Sequence, residues 1–104
     1  MSVSEQPSEA QFQAAIVQLA LLTGWRCYHP FDRRRSEPGW PDLALCKPPR
    51  LLLWELKTAR GRLSLDQRAW LADLAQCPGI ETAVLRPQDW PAIEATLVYG
   101  VSTP

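Results

Sequence analysis

The stretch Leu51-Leu52-Leu53-Trp54-Glu55-Leu56-Lys57, with Gly39-Trp40-Pro41-Asp42-Leu43-Ala44-Leu45 ahead of it, decides the fold. Alternation along the later run puts Leu51, Leu53, Glu55 and Lys57 on one face and Leu52, Trp54 and Leu56 on the other. A strand apolar on both faces belongs in the middle of a sheet, with a helix covering at least one side. Lys47-Pro48-Pro49-Arg50 is too short for a helical crossover, so the runs around it should form an antiparallel hairpin. Within these apolar runs stand three charges, Asp42, Glu55 and Lys57. Side chains of that kind are rarely buried unless they are paired, bind a metal or do chemistry.

Outward from the hairpin, the N-terminal side opens with Ser8-Glu9-Ala10-Gln11, a capping box. Behind it Phe12, Ile16, Leu19 and Leu22 or Thr23 recur at helical spacing until Gly24, which predicts a helix over about 9–23. Trp25 to Phe31 reads as a short strand, and residues 32–39 as a polar loop closed by Pro38-Gly39. On the C-terminal side Ser64-Leu65-Asp66-Gln67 is a second capping box, and the helix it opens runs towards Cys77-Pro78-Gly79. Glu81 to Leu85 is a further strand. Trp90 to Leu97 is a short closing helix with Pro91 in its first turn. The order α, β, β, β, α, β, α makes an α/β sandwich around a mixed sheet.

A chain of 104 residues with 46% hydrophobic and 21% charged residues suits one globular domain. Three dispersed cysteines (Cys27, Cys46, Cys77) and one histidine, His29, argue against a disulfide framework, a structural zinc site and a His-rich metal centre. The polar start has no signal-peptide pattern and no stretch is long enough to span a membrane, so a cytoplasmic location is expected. Net charge is zero, but its distribution is uneven. Between Arg26 and Arg62 nine basic residues face four acids, leaving that segment at +5 and the remainder at −5. A basic stripe around apolar-flanked acids suits a polyanion drawn towards a cation-binding centre.

The central charges suggest what such a centre would do. Glu55 and Lys57 leave the same face of their strand, about 7 Å apart. The hairpin can bring Asp42 level with Glu55. Two adjacent carboxylates raise each other's pKa unless a cation neutralises them. A hard divalent ion, Mg²⁺ or Mn²⁺, fits an oxygen-only ligand set and accepts a phosphate oxygen. Beside it Lys57 would hold or deprotonate an attacking water, or stabilise charge growing on the phosphate. Metal-assisted phosphodiester hydrolysis is the reaction these residues fit. Glu9 shares the helix stripe of Phe12 and Ile16, and a favourable first-turn charge explains it as readily as a place in the site. Gln67 is likewise a capping residue or a site residue.

Pro41-Asp42 followed by Glu55-Leu56-Lys57 resembles the signature of the PD-(D/E)xK nuclease superfamily. The wider pattern adds Glu9, Gly24-Trp25, Arg34-Arg35-Ser36-Glu37-Pro38-Gly39-Trp40-Pro41-Asp42-Leu43, Gly61-Arg62-Leu63-Ser64 and Gln67. Together these are similar to a VRR-NUC domain, the virus-type replication-repair nuclease branch, in the stand-alone form found in phages and prophages. Trp40 departs from the smaller, aliphatic or Phe residue more usual there. The resemblance implies a restriction-endonuclease-like core over 8–98, with a mixed four-stranded sheet flanked by helices, order αβββαβ, and a short C-terminal helix. Residues 1–7 would be a flexible tail and 99–104 a C-terminal tail. Asp42 and Glu55 would ligate Mg²⁺ or Mn²⁺ with the backbone carbonyl of Leu56. Lys57 would be the catalytic lysine, Glu9 an additional acid at a second ion or metal-bound water, and Gln67 a residue lining the site.

The same resemblance implies a structure-specific DNA endonuclease, a homodimer resembling Holliday-junction resolvases, in a bacterial or phage-infected cell. Neither a membrane nor a small-molecule substrate is expected. Arg33, Arg34, Arg35, Arg60 and Arg62 are the candidates for phosphate contacts, which position DNA without reading sequence. The alternatives are a flap or single-strand nuclease acting with partner proteins, and a non-catalytic DNA-binding module on the same fold.

Overall fold

The computed structural model describes residues 6–30 and 35–104. Its elements are α1 (Glu9–Leu22), β1 (Arg26–Tyr28), β2 (Leu43–Lys47), β3 (Arg50–Leu56), α2 (Leu65–Leu74), β4 (Ile80–Leu85) and α3 (Trp90–Tyr99), with a 3-10 turn at Pro87–Asp89 before the last helix. Both expected capping boxes form. Ser8 accepts from the Gln11 amide and Ser64 from the Gln67 amide, and each glutamine side chain accepts in return from its serine's N–H. Each box satisfies two N–H groups that a helix start leaves without partners.

The four strands form one sheet in the order β1-β2-β3-β4. β2 pairs antiparallel with both β1 and β3, and Lys47 faces Arg50 across the two-proline turn. β4 runs parallel to β3, with α2 as the connection, so the sheet is mixed and β3 lies inside it as expected. β1 is shorter than the 25–31 expectation. Trp25 leaves the ladder and turns into the core, where its indole N–H donates to the Leu97 carbonyl. The strand stops before His29-Pro30, since proline has no N–H for a ladder. Phe31 lies outside the described residues.

The main core fills the face beneath α1 and α3. Phe12, Ile16 and Ala20 from α1 meet Leu43, Leu45, Leu52, Trp54, Leu56 and Leu85 from the sheet and Ile93 and Leu97 from α3. This is the Leu52, Trp54, Leu56 face of the central strand. The opposite face carries Leu53 and Glu55, and there α2 packs along β4 with Leu74 as its buried residue.

The end of the chain is fastened to the sheet. Arg50 forms a two-pronged ion pair with Glu81 at 2.8 and 2.7 Å and donates to the carbonyls of Gly100 and Val101. Glu81 also accepts from the Thr103 amide, while the Trp54 indole donates to the Thr103 hydroxyl. Chiefly through the Arg50 hydrogen bond, against a smaller opposing effect of burial, the Glu81 carboxyl is held down at about 2. Lys47 is fixed too, by a 2.8 Å bond to the Thr23 carbonyl. Two members of the basic stripe, Lys47 and Arg50, are therefore tied into the fold.

Candidate active site

Pro41 ends the loop before β2, and Asp42 follows it one step beyond the last β2–β3 pair, Leu43 with Trp54. The antiparallel register thus sets Asp42 level with Glu55, as the hairpin geometry requires. Asp42 is almost fully buried, and its Oδ2 accepts from the Leu56 N–H at 2.8 Å. That bond ties the loop entering β2 to the end of β3. Glu55 is 1% exposed. Its Oε2 accepts from the Gln67 side-chain amide at 2.9 Å, and the Lys57 ammonium lies 4.0 Å from the same oxygen. Among the described residues, its Oε1 is buried with no hydrogen-bond donor.

These contacts set the charge state of the pair. Burial raises the Glu55 carboxyl to about 8, helped by its hydrogen-bonding contact with Asp42 and by the charge on Asp42, while Lys57 opposes the rise. The charge on Glu9 adds a further small increase. A buried carboxylate beside another carboxylate, with one oxygen undonated, is unfavourable as it stands. A proton or a cation removes the conflict. The donors are hard oxygens, so Mg²⁺ or Mn²⁺ fits them better than a softer ion. No group of three His, Cys, Asp or Glu side chains among the described residues could hold a metal together. Asp42 and Glu55 thus put two carboxylates side by side, and Mg²⁺ is commonly held through one or two carboxylates with water and phosphate oxygens as its other ligands.

Gln67 both caps α2 and touches Glu55. Its Oε1 accepts from the Ser64 N–H as a capping residue, and its Nε2 donates to Glu55. The cap therefore orients the amide so that its donor end faces the carboxylate. Glu9 lines the same cleft as Asp42 and Gln67, and its charge acts on Glu55. This cleft, about 980 Å³, runs along α1 past Gln13, Val17 and Leu21 and is closed by His29, Pro30 and the 36–40 loop. Arg35, Arg60 and Arg62 are exposed, the last two on the loop after Lys57. Arg33 and Arg34 lie outside the described residues.

Three supporting features had no strong signal in the sequence. Gly39 has φ 86° and sits so close to the start of α2 that a Cβ there would lie 2.4 Å from the Asp66 carbonyl carbon. Pro-Gly announced a turn but not what the turn touches. Trp40 meets Trp70 edge to face, with ring centroids 4.9 Å apart, so the unusual residue beside Pro41 has a partner on α2. Arg86 donates to the carbonyls of Thr58 and Gly61, and nothing near it in sequence marks it out.

The model of the VRR-NUC domain family matches residues 3–89. No curated protein matches the chain. Among solved structures, a Holliday junction resolvase from the archaeal hyperthermophile Archaeoglobus fulgidus, Hjc, is similar over 73% of this chain and 67% of its own, at 21% identity and a TM-score of 0.46. With the family match covering most of its length, and the expected acids and lysine gathered at the end of the β2–β3 hairpin, the chain belongs to the VRR-NUC domain family of nucleases.

Proposed function

We propose that this protein is a Mg²⁺- or Mn²⁺-dependent endonuclease that hydrolyses phosphodiester bonds in branched DNA, with four-way junctions as the favoured substrate and a homodimer as the working form. The observation that carries the chemistry is the buried pair of Asp42 and Glu55, with Oε1 of Glu55 undonated and its carboxyl raised to about 8. Asp42, Glu55 and the Leu56 carbonyl would hold the ion. When bound, the ion supplies Lewis-acid polarisation of the phosphate and a more acidic water.

The chain's own groups do the rest. Gln67 and the Leu56 amide each hold one oxygen of the acidic pair in place, and Oε1 of Glu55, buried without a donor, would be left for the ion. Lys57 stands beside Glu55, where its ammonium can orient a water or stabilise negative charge on the phosphate in the transition state. Glu9 adds negative charge on the cleft wall, which favours a cation at the centre. Arg33, Arg34, Arg35, Arg60 and Arg62 would contact phosphates and bring the backbone to it.

The test is cleavage of four-way, flapped and linear DNA side by side in Mn²⁺, with Asp42→Asn as the comparison. Wild-type protein should cut the junction fastest. The asparagine variant should lose at least about a hundredfold in rate while binding the same DNA with nearly unchanged affinity. Full activity in Asp42→Asn would remove the site, and preference for flaps would replace the junction reading. Binding without cutting by the wild type would favour the non-catalytic module.

A further inference from the structure

Lys57 needs more than its place at the end of β3 to keep its ammonium near Glu55. A lysine stem has four rotatable bonds, and the residues after it form a loop. The backbone of Lys57 is held on one side, where its N–H donates to the Leu85 carbonyl at 3.0 Å. The loop then turns back at Thr58–Gly61, closed by a bond from the Gly61 N–H to the Thr58 carbonyl. Gly61 lies against the lysine stem, since a Cβ there would sit 3.4 Å from Lys57 Cδ and 3.0 Å from the Thr58 hydroxyl. The turn is thus a cover over the side chain that the chemistry needs.

What fixes this turn comes from the end of the neighbouring parallel strand, β4, at the same end of the sheet. Nη1 of Arg86 donates to both Thr58 O at 2.8 Å and Gly61 O at 2.7 Å, so one nitrogen spans the turn. Arg86 directly follows Leu85, the residue that accepts from Lys57. Its own N–H donates to Asp89 Oδ2 at 2.8 Å, which anchors it to the 3-10 turn before α3. We infer that Arg86 is a positioning residue: it clamps the 58–61 turn over the Lys57 stem and so holds the lysine at the acidic pair. The inference rests on the nuclease reading for its effect on rate, but the clamp itself does not. The same turn carries Arg60, and Arg62 follows it, so the clamp also sets where these two cations stand.

Arg86→Met and Arg86→Lys, each in the full chain, test this by two measurements. The first is the single-turnover cleavage rate with all DNA bound. The second is the rate of tryptic nicking after Arg60 and Arg62 in the absence of DNA. Arg86→Met should cut DNA about tenfold more slowly at saturation, with its DNA affinity changed less than its rate, and should be nicked several times faster at those two sites. Thermal unfolding should stay cooperative. Arg86→Lys keeps a donor that can reach the carbonyls and should recover most of both losses. Wild-type rate or unchanged nicking in Arg86→Met overturns the inference, as does faster nicking spread evenly over the whole chain. If Arg86→Met does not fold, Arg86→Gln, whose shorter side chain does not reach both carbonyls, takes its place under the same criteria. Wild-type protein that cuts no DNA defeats the nuclease reading alone, and the nicking comparison then still decides whether Arg86 holds the turn.

Discussion

Glu55 is the residue in which the fold and the chemistry pull against each other. Burial raises its carboxyl to about 8, with Asp42 adding to the rise, whereas an unfolded chain would ionise it near the ordinary 4.5. Between those values the folded protein binds more protons than the unfolded one, so metal-free stability must fall as pH rises. The contribution is fully present below about 4.5 and is gone once the pH has passed about 8. On the proposed reading a divalent cation should reverse that trend, since it would bind the ionised pair and only the folded state assembles it. Thermal melts from pH 5 to pH 8 in chelator, and again in Mn²⁺, check both statements. In chelator the melting temperature should drop steadily, and Mn²⁺ should raise it most at the alkaline end. Glu55→Gln, uncharged at every pH, should show neither effect. A wild-type profile in chelator as flat as that of Glu55→Gln would mean that Glu55 does not titrate in this range. Glu81 has the opposite sign: its carboxyl, held at about 2 by Arg50, stabilises the fold above the ordinary carboxylate range. That contribution is lost only as the pH falls towards 2.

At the scale of elements, local rules accounted for most of the architecture. The two capping boxes, the alternation of residues 51–57 and the short two-proline turn place α1, the start of α2 and the β2–β3 hairpin close to their observed bounds, while α2 ends at Leu74, short of the expected Cys77-Pro78-Gly79. The hairpin register alone brings Asp42 and Glu55 together, which is why the core of the site could be read from spacing. Contacts between segments distant in sequence could not be read that way. Gly39 against Asp66, Trp40 against Trp70 and Arg86 against Thr58 are each made by residues whose local signal is generic. Gly39 is the clearest test of such a contact. Alanine there must adopt φ near 86° and place a Cβ 2.4 Å from the backbone of α2. The left-handed conformation alone costs about 1–2 kcal/mol, and the forced separation of loop and helix adds to it. We expect Gly39→Ala to lose at least about 2 kcal/mol in urea unfolding. Because the collision is with Asp66 and Gln67, it should also weaken Mn²⁺ binding through the Gln67–Glu55 bond. A loss below about 0.5 kcal/mol would show that the loop can lift away freely.

For the whole molecule, the proposed substrate raises the question of how so small a body would grip branched DNA. Of the basic stripe, Lys47 and Arg50 are bonded within the fold, and Arg26, Arg35, Arg60 and Arg62 are among its exposed members. Arg60 and Arg62 stand on the loop that follows Lys57, so on the proposed reading a phosphate held by them would lie near the sheet end that carries the acidic pair. One chain of 11.7 kDa offers little area for a four-armed substrate. A symmetric pair would double the exposed cations and present two sites to two strands. Light scattering should therefore give twice the chain mass for the DNA-bound protein, less the DNA. Affinity should fall steeply with salt, because each phosphate contact contributes about −0.9 to the slope of log K against log salt on duplex arms. Removing Arg60 and Arg62 together should make that slope shallower by roughly 2 for each chain engaged. In a dimer on one junction the change should be roughly 4. The slope thus counts protomers as well as contacts: a change near 2 points to one chain gripping the DNA, and an unchanged slope removes both arginines from the phosphate path.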